Sequence, residues 1–335
     1  MEILKRLKRA VVAWWQRQCV KREARRAFRY DWVQFRDNAG ALHLDRKAAA
    51  CAEIVMGYHV LEKGLTMPHR RLGFGKGAVV HLINLIESFE QRFGDDPQVI
   101  HAIGVLSAYR ELHRSADQHA DDTILYQRLN AFLMAHPNVP TAVEPHVTKA
   151  EFFESKDAPF PAFAASRHVV RHFAGAVPKE TVDAAVSLAL TAPSACNRQP
   201  VRVHVIDSPE LRDKLFALQG GARGFGADAD KVIVVTSDLS SVRWSWERHD
   251  CYTNGGIFVM NLCYALHYYG VAHCILHWSV APKTDRTVHG LLNIPANEAI
   301  VQVLACGLPP DTFDVAASPR RSLDEIVTWH CDAKG

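Results

Sequence analysis

The 335-residue chain lacks several patterns that mark common protein classes. Its eight cysteines form no CxxC pair and no regular spacing, so neither a zinc site nor a disulfide framework is indicated. Free thiols and a cytoplasmic location are the expectation. No run approaches the roughly 20 apolar residues that span a bilayer. GxSxG, HExxH, the P-loop and the dinucleotide GxGxxG are also missing, because GFGKG (73–77) and GGARGFG (220–226) have other spacings.

Charge is small overall but unevenly distributed. The net charge of +3 gives no reason to expect nucleic-acid binding. Residues 1–36, however, hold eleven Lys or Arg against three Asp or Glu, with Trp14, Trp15, Phe28 and Trp32 among them. This basic helical arm has two interpretations: a weak contact with an anionic membrane surface, or packing of its aromatic residues on its own protein or a partner subunit. The second is favoured, because most apolar stripes belong to cores.

Residues 37–136 are predicted to form a helical domain. Three segments carry apolar residues at three- and four-residue spacing and end near glycine or polar breaks. His59 and Glu62 lie three residues apart, which is the spacing of half a carboxylate-bridged metal site. A second such pair is missing, so we expect a buried hydrogen-bonded pair and no metal.

A proline-punctuated linker, residues 137–163, leads to a carboxy-terminal domain at 164–335. In that domain helices alternate with four strand-like runs, at 201–207, 231–238, 272–280 and 298–307. One apolar helix, NGGIFVMNLCYALHYYG (254–270), is apolar nearly all round and must be buried on all sides, as a dimer interface would achieve.

The stretch TAPSACNRQP (191–200) connects a helix to a strand. An amphipathic helix begins near Pro178 and is closed by Pro193, and the strand from Val201 follows. The loop between them carries Ser194 and Asn197. Loops of this kind, held by rigid elements, are where ligand contacts concentrate.

Arginines lie at both ends of the carboxy-terminal domain. SRHVVRHF places Arg167 and Arg171 four apart, on one face if the segment is helical, and SPRRSLDE brings Arg320 and Arg321. If the two ends converge, they form a forked clamp suited to a phosphate. Taken singly, each is more often a solvated surface charge.

Over about residues 164–330 the chain resembles the flavin-dependent nitroreductase family. The resemblance rests on four motifs in order: RHVVRHF, APSACNRQP before a strand, the glycine-led helix and SPRRSLDE. The resemblance implies an α+β, nitroreductase-like fold with an antiparallel-rich central sheet flanked by helices, preceded here by an all-helical domain. It also implies an interlocked homodimer with one FMN in each of two sites at the subunit interface.

The resemblance assigns the site residues as well. It implies that the ribityl phosphate is bound by Arg167, His168, Arg171 and Arg320. It also implies that the flavin ring is contacted by Pro193, Ser194, Ala195 and Asn197 of the neighbouring chain. The strand end at Ile275, Leu276 and His277 runs beside the ring. Either the His277 imidazole is a catalytic proton donor, or a backbone amide at Leu276 faces flavin N5 and the imidazole fills space. Val169 and Ser318 replace a hydroxyl residue and a lysine of the family pattern, so two phosphate donors are missing.

Four residues between the second strand and the apolar helix, Arg243, Trp244, Trp246 and Arg248, are candidates for a substrate lid that stacks on an aromatic substrate or binds its carboxylate. Packing of these tryptophans on the amino-terminal domain is an equal alternative.

The activity implied is an FMN-dependent oxidoreductase. A reduced nicotinamide, NADH or NADPH, gives hydride to flavin N5 and leaves, and a small aromatic or conjugated substrate then takes it in the same slot. Two alternatives stay open. One is a dedicated enzyme of cell-surface polysaccharide metabolism, and the other is a non-enzymatic dimeric or membrane-associated binding module that retains the fold.

Overall fold

The computed structural model describes residues 2–116 and 123–331. The chain divides into two compact units. We call the first the sheet unit (Met1–Leu44, Met67–His69 and His146–Val315) and the second the helical unit (Asp45–Thr66, Arg70–Pro145 and Ala316–Gly335). The domain boundaries after residues 36, 136 and 163 stay predictions.

Helices and strands alternate irregularly along the chain. The described helices are α1 Glu2–Asn38, α2 Lys47–Leu65, α3 Lys76–Phe93, α4 Pro97–Ala116, α5 Ile124–Met134, α6 Lys149–Phe152, α7 Phe160–Ser166, α8 Lys179–Ala189, α9 Pro209–Gln219, α10 Asp250–Tyr268, α11 Pro282–Leu292 and α12 Leu323–Ile326. The strands in the same part of the chain are β1 His146–Thr148, β2 Val201–Ile206, β3 Lys231–Asp238, β4 Ala272–Leu276, β5 Glu298–Gly307 and β6 Thr312–Asp314.

The helical unit is built on α2 to α5, which share one apolar core. On α3 the residues at three- and four-residue spacing, Val79, Leu82, Ile83, Ile86 and Phe89, are all buried. This spacing puts them on one face, as the sequence pattern predicts.

The sheet unit is centred on a four-stranded antiparallel sheet with strand order β2-β3-β5-β4, and a separate β1-β6 pair is also antiparallel. Successive residues of β3 point to opposite faces of the sheet. Val232 and Val234 therefore enter one core, and Ile233 and Val235 enter the other. The predicted α+β class, with an antiparallel sheet flanked by helices, is confirmed.

Helix α10 crosses the sheet at very close range. A Cβ atom placed on Gly255 would lie 2.7 Å from the side chain of Val301 in β5, so only glycine fits there. On this single chain Ile257 of α10 remains 42% exposed. The dimer that would cover it stays a prediction.

Some predicted elements have different limits in the structure. The strand predicted at 272–280 ends at Leu276, and α10 begins at Asp250 instead of residue 254. Pro178 is the N-cap of α8, one position before the helix that it was expected to begin. Among the described residues, no helix is both long and apolar enough to cross a membrane. All eight cysteines, each within the described residues, are free thiols.

Candidate functional site

Residues 167–171, which we call the arginine strand, form no helix, so the shared helix face that the spacing of Arg167 and Arg171 would give in a helix is not present. The cause is tertiary hydrogen bonding. The Val170 amide donates to the His273 carbonyl of β4 at 3.0 Å, and the Ala174 amide further along donates to the Leu308 carbonyl at 2.8 Å.

Both arginines of this strand carry polar atoms without partners. Arg171 is only 7% exposed, and its buried Nε has no hydrogen-bond partner among the described residues. The same is true of Nε and Nη1 of the half-buried Arg167. A buried guanidinium with unsatisfied donors is costly unless an acceptor is supplied. These donors are therefore available to an acceptor from outside the described residues.

Two buried histidines near Arg167 do not add to this positive charge. Burial, helped by the neighbouring Arg167 charge, lowers the pKa of His267 to about 4. Burial likewise lowers the pKa of His273 to about 3. Both rings are therefore neutral at neutral pH, and the positive charge of this region is carried by the arginines. His168 is half-buried, and its Nδ1 lies 3.1 Å from the Ser166 carbonyl.

The loop after α8, residues 193–200, forms a closed turn that we call the proline turn. The Gln199 amide donates to Ser194 Oγ at 3.0 Å, and the Gln199 side chain donates to Asn197 Oδ1 at 3.1 Å. Cys196, Asn197 and Gln199 have φ values of 53°, 53° and 49°, a left-handed region that non-glycine residues seldom adopt. Such strain persists only where the surroundings over-determine it, and it clusters at functional sites.

Two anchors hold the proline turn. The Ala195 amide donates to Oδ1 of the buried Asn254 on α10 at 3.0 Å. The Arg198 guanidinium makes a bidentate pair with Glu247 at 2.8 and 2.9 Å. The hydrogen bond from Arg198, with those from backbone amides, lowers the pKa of Glu247 to about 2. Sequence reasoning missed all three side chains, because Asn254 and Glu247 lie 59 and 49 residues from their partners.

The end of β4 places the next predicted group. Leu276 is buried, Ile275 is half-buried, and His277 is exposed. The Gln219 side chain donates to the His277 carbonyl at 2.8 Å and fixes the backbone there. The Ser279 amide donates to His277 Nδ1 at 3.2 Å. Because Nδ1 accepts this hydrogen bond, the tautomer that fits it has its proton on Nε2.

The predicted lid residues divide into two kinds. Trp244 and Trp246 stack on each other, with centroids 5.1 Å apart, and both remain exposed. Arg243 lies over the Trp244 ring, 4.8 Å from its centroid. Arg248 instead forms a bidentate pair with Asp31 of α1, at 2.5 and 2.6 Å. Its guanidinium is therefore already engaged with a carboxylate of the protein.

Arg320 belongs to the helical unit. It is exposed and donates to the Ser318 carbonyl of its own segment. Its share in a phosphate clamp with Arg167 and Arg171 stays a prediction.

The same unit contains a buried carboxylate. Glu62 accepts from His101 at 2.7 Å and lies 3.5 Å from His59. Burial raises the pKa of Glu62, but the hydrogen bonds of these histidines outweigh it and lower the value to about 2. The sequence pattern did not predict His101 as a partner of Glu62, because the two residues lie 39 positions apart in the chain.

Solved structures that resemble this chain include the following three. One, from Desulfovibrio desulfuricans, is named as a nitroreductase in complex with FMN (22% identity, 52% of this chain, 98% of that chain, TM-score 0.43). Another, from Staphylococcus epidermidis, is named as an NAD(P)H:FMN oxidoreductase (16% identity, 51% of this chain, 96% of that chain, TM-score 0.45). A third is a nitroreductase family protein of Streptococcus pneumoniae (20% identity, 51% of this chain, 100% of that chain, TM-score 0.44). No curated protein sequence matches.

The model of the Nitroreductase family matches residues 164–222. This segment contains the arginine strand and the proline turn, the two features described above. The predicted resemblance to the nitroreductase family is thus confirmed on the part of the chain that carries them.

Proposed function

We propose that this protein is a flavin-dependent oxidoreductase that binds FMN and uses NADH or NADPH to reduce a small aromatic or conjugated substrate. The observation that carries the proposal is the set of unpartnered guanidinium atoms on Arg167 and Arg171. The family match over the same residues supports an oxidoreductase.

The residues present fit the phosphate of FMN. Guanidinium groups donate in a planar fork that matches phosphate oxygens, and a buried donor without a protein acceptor gains most from one. In this proposal Arg167 and Arg171 hold the phosphate, with His168 beside them and Arg320 as a further donor. Val169 and Ser318 supply no strong donor in place of the family's hydroxyl and lysine, so the arginines bear a larger share of the binding.

The remaining residues would position the ring and the substrate. When bound, FMN supplies hydride transfer, which no side chain of the protein can perform. Pro193, Ser194, Ala195 and Asn197 form a rigid polar edge, because both anchors fix the proline turn. The exposed Nε2 proton of His277 is available to a reduced substrate, and the Leu276 backbone is the alternative donor. Trp244 and Trp246 offer an aromatic surface for a planar substrate.

A homodimer is part of the proposal. In it the proline turn of one chain meets the flavin of the other, and α10 is covered by the partner. The partly exposed Ile257 supports this, because a helix that is apolar on most sides needs a covering surface.

The decisive experiment is the absorption spectrum of the purified full-length chain. We expect a bound flavin spectrum, either as purified or after addition of FMN, and bleaching of it on anaerobic addition of NADH or NADPH. A nitroaromatic or quinone acceptor should then restore the colour. A protein that takes up no added FMN contradicts the proposal and favours a binding module that has kept only the fold.

A further inference from the structure

The first half of α1 is a long exposed surface that the proposed function does not use. Every residue from Ile3 to Arg17 is exposed. The apolar side chains among them are at least half exposed: Ile3, Leu4, Leu7, Val11, Val12, Trp14 and Trp15. Such exposure of large apolar side chains on one segment marks an interaction surface.

The apolar residues are ordered on the helix. Ile3, Leu7, Val11 and Trp14 follow one another at four-, four- and three-residue steps and so share one face, flanked by Leu4 and Trp15. Lys5 and Arg9 lie on the opposite side of the same turns, together with Val12, and Arg6 lies between the two sides. We call residues 3–15 the amphipathic segment.

The same face changes character further along the helix. Continuing at three- and four-residue steps from Trp14, it passes Gln18 and then Arg22, Arg25 and Arg29, all three arginines being exposed. No Asp or Glu occurs between Ile3 and Arg22, while seven Lys or Arg do. One face of α1 therefore presents an apolar half and then a cationic half.

A partner subunit or a lipid surface would bury the apolar half, and the cationic half distinguishes them. A second copy of α1 along this face would bring Arg22, Arg25 and Arg29 against their own equivalents if parallel, where like charges repel, or against its apolar half if antiparallel, where the arginines lose their solvation. An anionic lipid surface accepts both halves: tryptophan and aliphatic side chains enter the interface, and arginines meet the headgroups.

We propose that α1 docks on an anionic lipid bilayer, lying along its surface with the amphipathic segment inserted at the headgroup boundary and Arg22, Arg25 and Arg29 in contact with lipid phosphates. The proposal is independent of the flavin site, because no residue of that site takes part in it.

Vesicle co-sedimentation of the full-length chain tests the proposal. We expect binding to mixed phosphatidylglycerol and phosphatidylcholine vesicles at low salt, little binding to phosphatidylcholine alone, and loss of binding at high salt, where charges are screened. The double variant Arg22→Glu/Arg25→Glu should weaken binding on the order of 100-fold. Trp14→Ala/Trp15→Ala should weaken it at least about tenfold.

Matched controls separate this surface from general charge and aromatic content. Lys283→Glu/Arg286→Glu changes the net charge equally on exposed residues of α11, and Trp329→Ala removes an exposed tryptophan elsewhere. Both should bind as the parent does. Absence of vesicle binding at low salt overturns the proposal, as does equal binding to neutral vesicles or an equal loss in the controls. An oligomer that Trp14→Ala/Trp15→Ala dissociates, found without vesicle binding, overturns it in favour of a second copy.

Discussion

The proline turn and the arginine strand are the two parts of the family-matched segment, and they differ in how their polar groups are satisfied. In the turn, Ser194, Ala195 and Arg198 all have protein partners, so the structure there is complete without a ligand. In the strand, donors of Arg167 and Arg171 are buried without partners. In the proposed function the proline turn is therefore the scaffold of the site, and the arginine strand is the recognition element, whose donors an anion would satisfy.

The largest expected effect is on the recognition element. Arg171→Met keeps the length of the side chain but removes its donors, so FMN affinity should fall about 100-fold, about 2.7 kcal/mol. The stability of the flavin-free protein should not fall, because the buried Nε of Arg171 has no protein partner to lose. Fluorescence titration of FMN and urea unfolding measure the two quantities. Arg286→Met on α11 is the control, and it should change neither. Unaltered FMN affinity combined with lost stability would show that Arg171 is structural.

The next effect breaks the scaffold. Asn254→Ala leaves the Ala195 amide without its acceptor, and the unfolding free energy should fall by about 2 kcal/mol. Asn261→Ala, a more exposed site on the same helix that donates to Ala189 and Thr191, is the matched comparison and should cost less. Chemical denaturation of the two variants measures the difference. Equal losses would mean that the Ala195 contact has no special role in holding the turn.

A smaller effect probes the strain of the turn. Cys196 has φ 53°, where glycine meets no Cβ penalty, so Cys196→Gly should stabilise the protein by up to about 1 kcal/mol. Cys196→Ala keeps the Cβ and should give no gain. Thermal unfolding of both variants in parallel makes the comparison. A loss of stability in Cys196→Gly would contradict strain at this position.

The smallest effect is a pH dependence. The pKa of Glu247 is lowered to about 2 by its hydrogen bond with Arg198 and by backbone amides, from 4.5 when unperturbed. Its contribution to stability is therefore fully present above about pH 4.5 and is lost as the pH falls toward about 2. Glu247→Gln should be less stable than the parent at neutral pH, and this difference should shrink on acidification. Urea midpoints across that range measure it, with Glu23→Gln on α1 as the exposed control. A difference that does not vary with pH would contradict this role.

The sequence predicted the regular elements of the sheet well, because period-2 alternation and β-branched runs specify strands locally. Strand β3 is an example, since its predicted and observed limits coincide at 231 and 238. Arg167 and Arg171 would share a face if their segment were helical, but the structure forms no helix there. The Val170 and Ala174 amides instead donate to the carbonyls of His273 and Leu308, partners more than a hundred residues away that spacing cannot reveal.

The same limit applied to the candidate site. Ser194 and Asn197 were identifiable because prolines and polar residues crowd a short loop between a helix and a strand. The residues that fix this loop were not identifiable, because Asn254 lies in an apolar helix and Glu247 in a segment whose prediction rested on its tryptophans and arginines. The unpartnered Nε of Arg171 could not be predicted either, because the absence of a hydrogen-bond acceptor beside it is a property of the folded chain.

Helix α1 has one further consequence, which follows from its continuity. It runs without a break from Glu2 to Asn38, and its Asp31 forms an ion pair with Arg248. Arg248 directly follows Glu247, which holds the proline turn through Arg198. Seventeen residues of helix separate Trp14 from Asp31, a distance of about 25 Å. Because the helix is continuous, whatever binds Trp14 is held at this fixed distance from the ion pair of Asp31 with Arg248. An insertion or a kink between Trp14 and Asp31 would change the distance without altering either contact.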